Sequence, residues 1–575
     1  MKKVSDKTNN EQSKRRPYFV TFYSFKGGVG RSLAAVNVAM ALAQNRRKVL
    51  LVDFDLEAPG ITQFEECASL PNRGGLIDLI HQYKKNYADT LSLIKKRKKI
   101  SRKEKQDLLS PDKLFLPGTV ANLITRHPKF QNLSFLPAGK INCEYYEKLT
   151  SLNMASLYSR EKGYIFFSTL KEHIARLDPS PDYVIFDARA GVSDIGWPPV
   201  VQYPDLVIVL CVPNEQNIQG TEFILKRLSE RKPDPPKLLP VLSLISPYEL
   251  DLLKKQRERA LEVFNKILKT ETEKPLTGKN LIQIPYHPLL TFWQGCIMIR
   301  DEWIGSEWER EYLKICKEII ERNEYDWLFH YNKAEELFNQ RKMEEARKYY
   351  DRALSLGITS EEELNSLGIK YDLIFHDQIR AEKAFRDLID LNPKSSVSWS
   401  NLGLILSKDP KRKKEAEESY RRALKINPEL SEALYNLGNL LSEDPKRKKE
   451  AEESYRRALK INPDDAEVWS KLGFLLSEDM KRKKEAETSF LKSIEINPVN
   501  IKSYLALYIL KKKQGDMAKA FNYFSEALKI LKREKESPFK LELIKSLKDE
   551  IKELEKSGKF SPQKISFLKK RIQSL

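Results

Sequence analysis

The chain has 575 residues, with 101 Lys and Arg against 81 Asp and Glu, and 41% of it is apolar. At about 100–200 residues per domain that length predicts three to five domains or a repeat array, and the apolar share excludes a chain disordered throughout. The net charge of +20 allows an acidic partner without naming one.

Residues 1–17 read as a polar, basic tail. The stretch 1–16 has no apolar h-region, so no secretory leader is expected. The longest apolar run, 206–213, is far shorter than the roughly 20 residues of a membrane-spanning helix. Cys67, Cys143, Cys211, Cys296 and Cys316 are scattered with no C-x-x-C pair, which predicts reduced thiols in a cytoplasmic protein. Cys211 and Cys296 read as core residues. The six histidines show no metal-ligand spacing.

From residue 18 to 322 short apolar runs alternate with amphipathic segments. The runs are 18–24, 49–53, 133–137, 183–187, 206–212, 239–245 and 281–285, most of them bounded by Pro, Gly or Asp. That alternation predicts an α/β domain, a mostly parallel sheet with helices on both faces. Near-continuous apolarity at 49–52 and 206–211 suits strands covered on both sides. The Lys-rich stretch 95–113 reads as a surface insertion.

Residues 24–32 read S-F-K-G-G-V-G-R-S, directly after the first strand and before a helix predicted over 32–44. Glycines there let backbone N–H groups turn inward around an anion, and the helix N-terminus adds its dipole. Ser32 offers a hydroxyl to Mg²⁺. The next strand ends in Asp53-Phe54-Asp55, where metal and water ligands are needed; the plainer reading of either Asp is a strand-end cap.

K-G-G-V-G-R-S, followed by V-L-L-V-D-F-D-L-E-A-P-G at 49–60, resembles the deviant Walker A ATPases of the ParA and MinD type. D-Y-V-I-F-D-A-R-A-G at 182–191 resembles their switch II, and I-P-Y-H-P at 284–288 their late nucleotide-base loop, which includes Pro285. The resemblance implies a P-loop fold that binds ATP and Mg²⁺, with Gly27, Gly28, Val29, Gly30, Arg31, Ser32 and Leu33 in the nucleotide loop. It implies that Lys26 reaches across an ATP-sandwiched dimer to the partner's phosphates and that Ser32 ligates Mg²⁺. Asp53 and Asp187 would hold the metal largely through water, and Asp55 would orient the attacking water. Catalysis would be positioning plus charge neutralisation.

Three positions differ from the family pattern. Arg31 stands where a lysine is usual; it keeps the charge, is bulkier and can fork two phosphate oxygens. Leu33 replaces a second Thr and loses a hydroxyl contact, and Ser243 lies where an Asn commonly helps read adenine. Arg189, two residues after Asp187, reads better as a salt-bridged or solvent-facing residue than as a transition-state arginine. The K-G-G-V-G-R variant recurs in bacterial proteins fused to repeat or signalling modules, which leaves signalling or defence, intracellular positioning and control of a neighbouring enzyme as settings.

After about residue 327 the strand pattern ends. Gly368, Gly403, Gly438 and Gly473 recur every 35 residues, as do Ala381, Ala416, Ala451 and Ala486, then Phe385, Tyr420, Tyr455 and Phe490, then Pro393, Pro428, Pro463 and Pro498. Residues 409–428 are repeated without change at 444–463. A bulky residue, Leu and Gly on one helix face a small–large–small set on a second, and Pro closes the unit. This resembles the tetratricopeptide repeat (TPR), with the extra residue placed near 411–414. About six repeats are expected over 327–530, an all-α solenoid, with capping helices over 531–575 that include Ile544, Leu547, Ile551 and Leu554.

The resemblance implies a protein partner on the concave face of the array. The basic quartets at 411–414, 446–449 and 481–484 each have acidic neighbours and no aromatic interleaving. They read as a solvated ridge ahead of an acidic protein surface, and nucleic acid comes last. Lys569-Lys570-Arg571 reads as part of a cap helix rather than a membrane contact. The main expectation is an ATP-hydrolysing switch that dimerises with nucleotide. The alternatives are a TPR scaffold with a structural nucleotide domain and a nucleic-acid clamp.

Overall fold

The computed structural model describes residues 16–64, 67, 73–97, 100–114, 119–159, 161–191, 202, 204–231, 235–246, 250–268, 275–288, 296–533 and 538–574. The basic tail at 1–15 lies outside them. The chain forms two compact units, Met1–Gly357 and Ile358–Leu575.

In the first unit all seven apolar runs become strands: β1 (Tyr18–Ser24), β2 (Val49–Phe54), β4 (Leu133–Leu136), β5 (Tyr183–Ala188), β6 (Leu206–Cys211), β7 (Lys237–Ile245) and β8 (Gln283–Pro285). An eighth strand, β3 (Thr125–Arg126), has no apolar signature and pairs antiparallel with β4. The order is β3-β4-β2-β5-β1-β6-β7-β8, and every other pairing is parallel. The C-terminal ends of β1, β2 and β5 therefore lie side by side, which is where open α/β sheets place their ligands.

Side chains alternate across the sheet, as a period of two requires. Tyr18, Val20 and Phe22 point into one core layer with helix α1 (Arg31–Gln44), while Phe19 and Tyr23 serve the other face. Helices α2 (Leu76–Lys96), α3 (Gly163–Ala175), α4 (Glu215–Ser229) and α5 (Leu250–Leu268) cover that second face; Tyr83, Phe166, Ile224 and Phe264 are buried in it. Helix α6 (Glu307–Glu321) packs Ile315 and Ile319 against α1. Held between sheet and α6, α1 is buried on nearly all sides, which explains its run of Ala34, Ala35, Val36, Val38, Ala39 and Met40. In the Lys-rich insertion, Ser101 and Glu104 form a capping box on an exposed helix, Arg102–Leu108.

The first helical hairpin, Trp327–Asn339 and Met343–Leu356, belongs to this first unit. Asp326 caps its first helix by accepting from Leu328 N at 2.8 Å, and the same carboxylate takes a forked contact from Arg47 (2.8 and 2.9 Å). Tyr183 Oη donates to it at 2.6 Å, and Arg47 lies 4.8 Å from the Trp327 ring centre.

Among the described residues the second unit holds five more repeat hairpins, from Glu361–Leu373 with Gln378–Leu391 to Ile501–Gln514 with Met517–Leu531. The repeat glycines are sites of close approach. A Cβ at Gly368, Gly403, Gly438 or Gly473 would lie within 2.6–2.7 Å of the ring of Phe385, Tyr420, Tyr455 or Phe490. The extra residue of the 35-residue period falls in a 3₁₀ turn before the second helix: Pro410–Arg412, Pro445–Arg447 and Met480–Arg482. Helices Pro538–Ser557 and Pro562–Gln573 bury Ile544, Leu547, Ile551 and Leu554 against Leu528 and Leu531, as a cap should. Lys569 pairs with Glu555 at 2.7 Å and Arg571 donates to Ser525 O at 2.7 Å, so the terminal basic cluster is tied into the cap.

The basic quartets form a ladder of ion pairs between successive repeats. Arg412, Arg447 and Arg482 each make a forked contact, 2.6–2.9 Å, with Glu382, Glu417 and Glu452 of the preceding repeat. Lys413 and Lys448 reach forward to Glu443 and Glu478. These hydrogen bonds hold the Glu417 and Glu452 carboxyls down at about 2, from an ordinary value of 4.5. A carboxyl depressed by folding adds stability above its unfolded pKa and loses it as pH falls through the folded value. The ladder's contribution should therefore fade between about pH 4.5 and pH 2. Solvent screening keeps each exposed pair to about 0–1 kcal/mol. In thermal melts, Glu417→Gln/Glu452→Gln should lower the midpoint at pH 7 and converge on wild type toward pH 2; a constant gap would show that the ladder contributes nothing.

Candidate functional site

β1 ends at Ser24 and α1 starts at Arg31, so the glycine loop spans the step from sheet to helix. Gly28 and Gly30 have φ of +72° and +77°, a region side-chain-bearing residues rarely enter. A Cβ on Gly27, Gly28 or Gly30 would meet nothing within 4 Å, so these glycines border open space, while Val29 is buried. The start of α1 has no side-chain cap and no acidic residue in its first turn. Its N–H groups and dipole therefore present a positive end to that space.

The loop is anchored from three sides. Ser24 Oγ donates to Lys26 O at 2.8 Å. Tyr23 Oη donates to Gly191 O and Gly191 N donates back to Ser24 O at 3.1 Å, which ties the loop to the segment after β5. The Phe25 ring lies so close to Gly220 of α4 that a Cβ there would come within 2.1 Å of it. Lys26 Nζ donates to Gln216 Oε1, also on α4.

Three carboxylates converge beside the loop. Asp53 and Asp187 sit opposite each other in the β2–β5 register, and both are fully buried. Asp53 accepts from the N–H groups of Asp55 and Ile61, both at 3.2 Å. Burial, and then the nearby Asp187, push its carboxyl well above the ordinary range. Asp187 Oδ2 has no hydrogen-bond partner among the described residues. Asp55 Oδ1 accepts from Ala58 N at 3.2 Å.

Arg31 is buried between two of these acids. Its Nε donates to Asp187 Oδ1 at 2.6 Å and its Nη2 to Asp55 Oδ2 at 2.7 Å. Burial alone would lower its pKa, but Asp187 and then Asp55 raise it above the ordinary guanidinium value. The fork that sequence pointed at two phosphate oxygens here spans two carboxylates. Beside this group, Ser32 is half-buried with its Oγ 3.3 Å from where a Cβ of Gly60 would sit. Arg189 pairs with Glu57, the salt-bridged role expected of it, and so links the segments that follow β5 and β2.

The structure thus gathers Lys26, Gly27, Gly28, Val29, Gly30, Arg31, Ser32, Asp53, Asp55 and Asp187 at neighbouring strand ends. Leu33 packs against the core layer under α1. Pro285 ends β8, two strands beyond β6, where its carbonyl accepts from Trp308 Nε1 at 3.0 Å. Ser243 is buried on β7 with no partner for its hydroxyl among the described residues. Sequence reading missed Gln216, Gly220 and Glu57, whose roles depend on chain segments that meet only in the fold. No group of three or more His, Cys, Asp or Glu among the described residues is placed to hold a metal by itself. Mg²⁺ keeps several waters and takes one or two carboxylates together with phosphates. An unpartnered buried carboxylate oxygen on Asp187, a hydroxyl on Ser32 and an open glycine loop fit a hydrated Mg²⁺ brought in with phosphate.

Residues 18–234 match the family model of an AAA domain. Residues 411–475, and separately 329–356 and 466–500, match tetratricopeptide repeat models. The chain joins an AAA domain to tetratricopeptide repeats. Over 206 residues it is 24% identical to the septum site-determining protein MinD of Helicobacter pylori, a match covering 36% of this chain and 57% of that relative. The chain thus spans little more than half the length of that curated relative. Among solved structures, the cell division ATPase MinD of Pyrococcus furiosus is 18% identical, covering 53% of this chain and 98% of that one, with a TM-score of 0.35. PilF of Pseudomonas aeruginosa is 22% identical, covering 36% of this chain and 97% of that one, with a TM-score of 0.29. The repeat matches indicate a protein-interaction module. No helix among the described residues is long and apolar enough to cross a membrane.

Proposed function

We propose that the AAA domain is a nucleotide switch of the deviant Walker A kind, which binds Mg-ATP, hydrolyses it slowly to ADP and phosphate, and controls how the repeats present themselves to a protein partner. The observation that carries this reading is the buried Asp53–Asp187 pair, with one Asp187 oxygen unpartnered, directly beside an open glycine loop at a helix N-terminus. In this reading the backbone N–H groups of residues 27–33 and the start of α1 bind the phosphates. Ser32, Asp53 and Asp187 would hold a hydrated Mg²⁺, which would supply charge neutralisation. Asp55 orients the attacking water once it is free of Arg31. Pro285 borders the base.

Calorimetry with the full chain should show heat for Mg-ATP. Asp55→Ala should then bind Mg-ATP while releasing phosphate about 10²-fold or more slowly, the usual size of a lost general base. Equal and negligible release from both proteins would leave a repeat scaffold with a structural nucleotide domain.

The position of Lys26 supports a second element of the switch. It stands on the rim of the loop, held by Gln216, in the place from which the resemblance sends it to a partner's phosphates. Light scattering should show the wild-type mass doubling with ATP and the Lys26→Ala mass unchanged. A wild-type mass indifferent to ATP would remove the dimer.

A further inference from the structure

We propose that Arg31 is the resident cation of the metal site in the nucleotide-free protein, so that Mg²⁺ enters only together with a nucleotide whose phosphates draw the guanidinium away. The inference rests on the reading of the glycine loop as a phosphate cradle and goes beyond it: it sets the order in which the ligands bind and names the residue that sets it.

The geometry carries the argument. Arg31 is the first residue of α1, next to the cradle, yet its fork does not face the cradle. It bridges Asp55 and Asp187 at 2.7 and 2.6 Å, with only 8% of its side chain exposed. A buried guanidinium with two acidic partners replaces most of the solvation it has lost, whereas a buried carboxylate without a counter-charge is costly. While Arg31 sits there, a divalent cation at Asp187 would meet a fixed positive charge a few ångströms away. Metal and guanidinium therefore compete for one place.

A triphosphate resolves the competition, because its oxygens offer the same planar fork the acceptors it needs. Arg31 can then exchange two carboxylate oxygens for two phosphate oxygens with little change in hydrogen bonding. The exchange frees Asp187 for the metal and Asp55 for water at the same moment. A lysine here would be a point charge with a single nitrogen, without the planar fork that spans two carboxylates in fixed geometry. The Arg31 substitution thus couples the release of the water-orienting acid to the arrival of phosphate.

The test uses the full chain without nucleotide and Mn²⁺ alone as the probe, read by calorimetry and by thermal shift. Arg31→Gln should bind Mn²⁺ at least about tenfold more tightly than wild type, a difference of 1.4 kcal/mol or more. Arg31→Gln/Asp187→Asn should lose that gain. Equal Mn²⁺ affinity in wild type and Arg31→Gln would overturn the proposal, as would a gain that survives Asp187→Asn. Should circular dichroism show Arg31→Gln unfolded, Arg31→Met, a neutral side chain of similar reach, takes its place: an Mn²⁺ affinity above wild type supports the competition, and one equal to wild type refutes it. Calorimetry of wild type with ATP in EDTA reads the cradle separately. Absence of heat there would remove the phosphate reading and the release step with it, while the Mn²⁺ comparison still decides whether Arg31 and the metal exclude each other.

Discussion

Arg47→Ala should lower the stability of the first unit by about 3–5 kcal/mol, the usual cost of leaving one partner of a buried ion pair alone. Arg47 is 3% exposed and forks onto Asp326, whose carboxylate also caps the Trp327 helix and accepts from Tyr183. Removing the guanidinium strands a buried carboxylate at the root of the first hairpin. Its place is the N-terminal start of β2, at the other end of that strand from Asp53. The substitution should therefore leave the Mg-ATP affinity of the folded protein unchanged. Hydrogen exchange of β1 and β5 amides, which open with the unit as a whole, would measure the loss. Arg47→Met/Tyr183→Phe/Asp326→Leu should be less destabilising than Arg47→Ala, because no buried charge is then left without a counter-charge, and the lost cap on the Leu328 N–H costs less than that. A triple variant worse than the single one would show that the network does more than satisfy itself.

Tyr455→Ala should cost the second unit about 3–5 kcal/mol, as large-to-small changes at buried aromatic sites do. The ring is 1% exposed and fills the notch left by Gly438. Gly438→Ala approaches the same contact from the other side. Its new Cβ would lie 2.6 Å from the ring, an overpacking worth about 1–3 kcal/mol. The two changes share one cavity, so Gly438→Ala/Tyr455→Ala should cost less than the sum of the singles. Strict additivity in denaturant melts followed at the repeats would mean that the glycine is there for another reason. Helix pairs stack on their neighbours, so the loss should spread to the adjoining hairpins in exchange experiments.

Much of this architecture was legible in the residue order. β2 and β6 announce themselves because strands covered on both faces are apolar throughout, and the glycine loop because its backbone conformation needs residues without a Cβ. The repeats were plainer still, since each hairpin solves the same packing problem with the same Gly, Ala, aromatic and Pro. β3 was not readable: two residues, one of them a half-exposed Thr, carry no periodicity. The basic quartets were legible as charge but not as a ladder, since each Arg finds its acid 30 positions earlier.

The residue order by itself therefore determined which segments are strands, which loop is built on glycines at a helix start and which residues recur, because each depends on local conformation or on a repeated pattern. Only the tertiary structure decided what Arg31 holds. Its partner Asp187 is 156 residues away and reaches it because β5 lies between β1 and β2. The same packing placed the first helical hairpin in the unit that carries the loop, through Arg47 and Asp326. A buried charge takes the nearest opposite charge whatever their separation along the chain, and that neighbour exists only once the sheet has assembled.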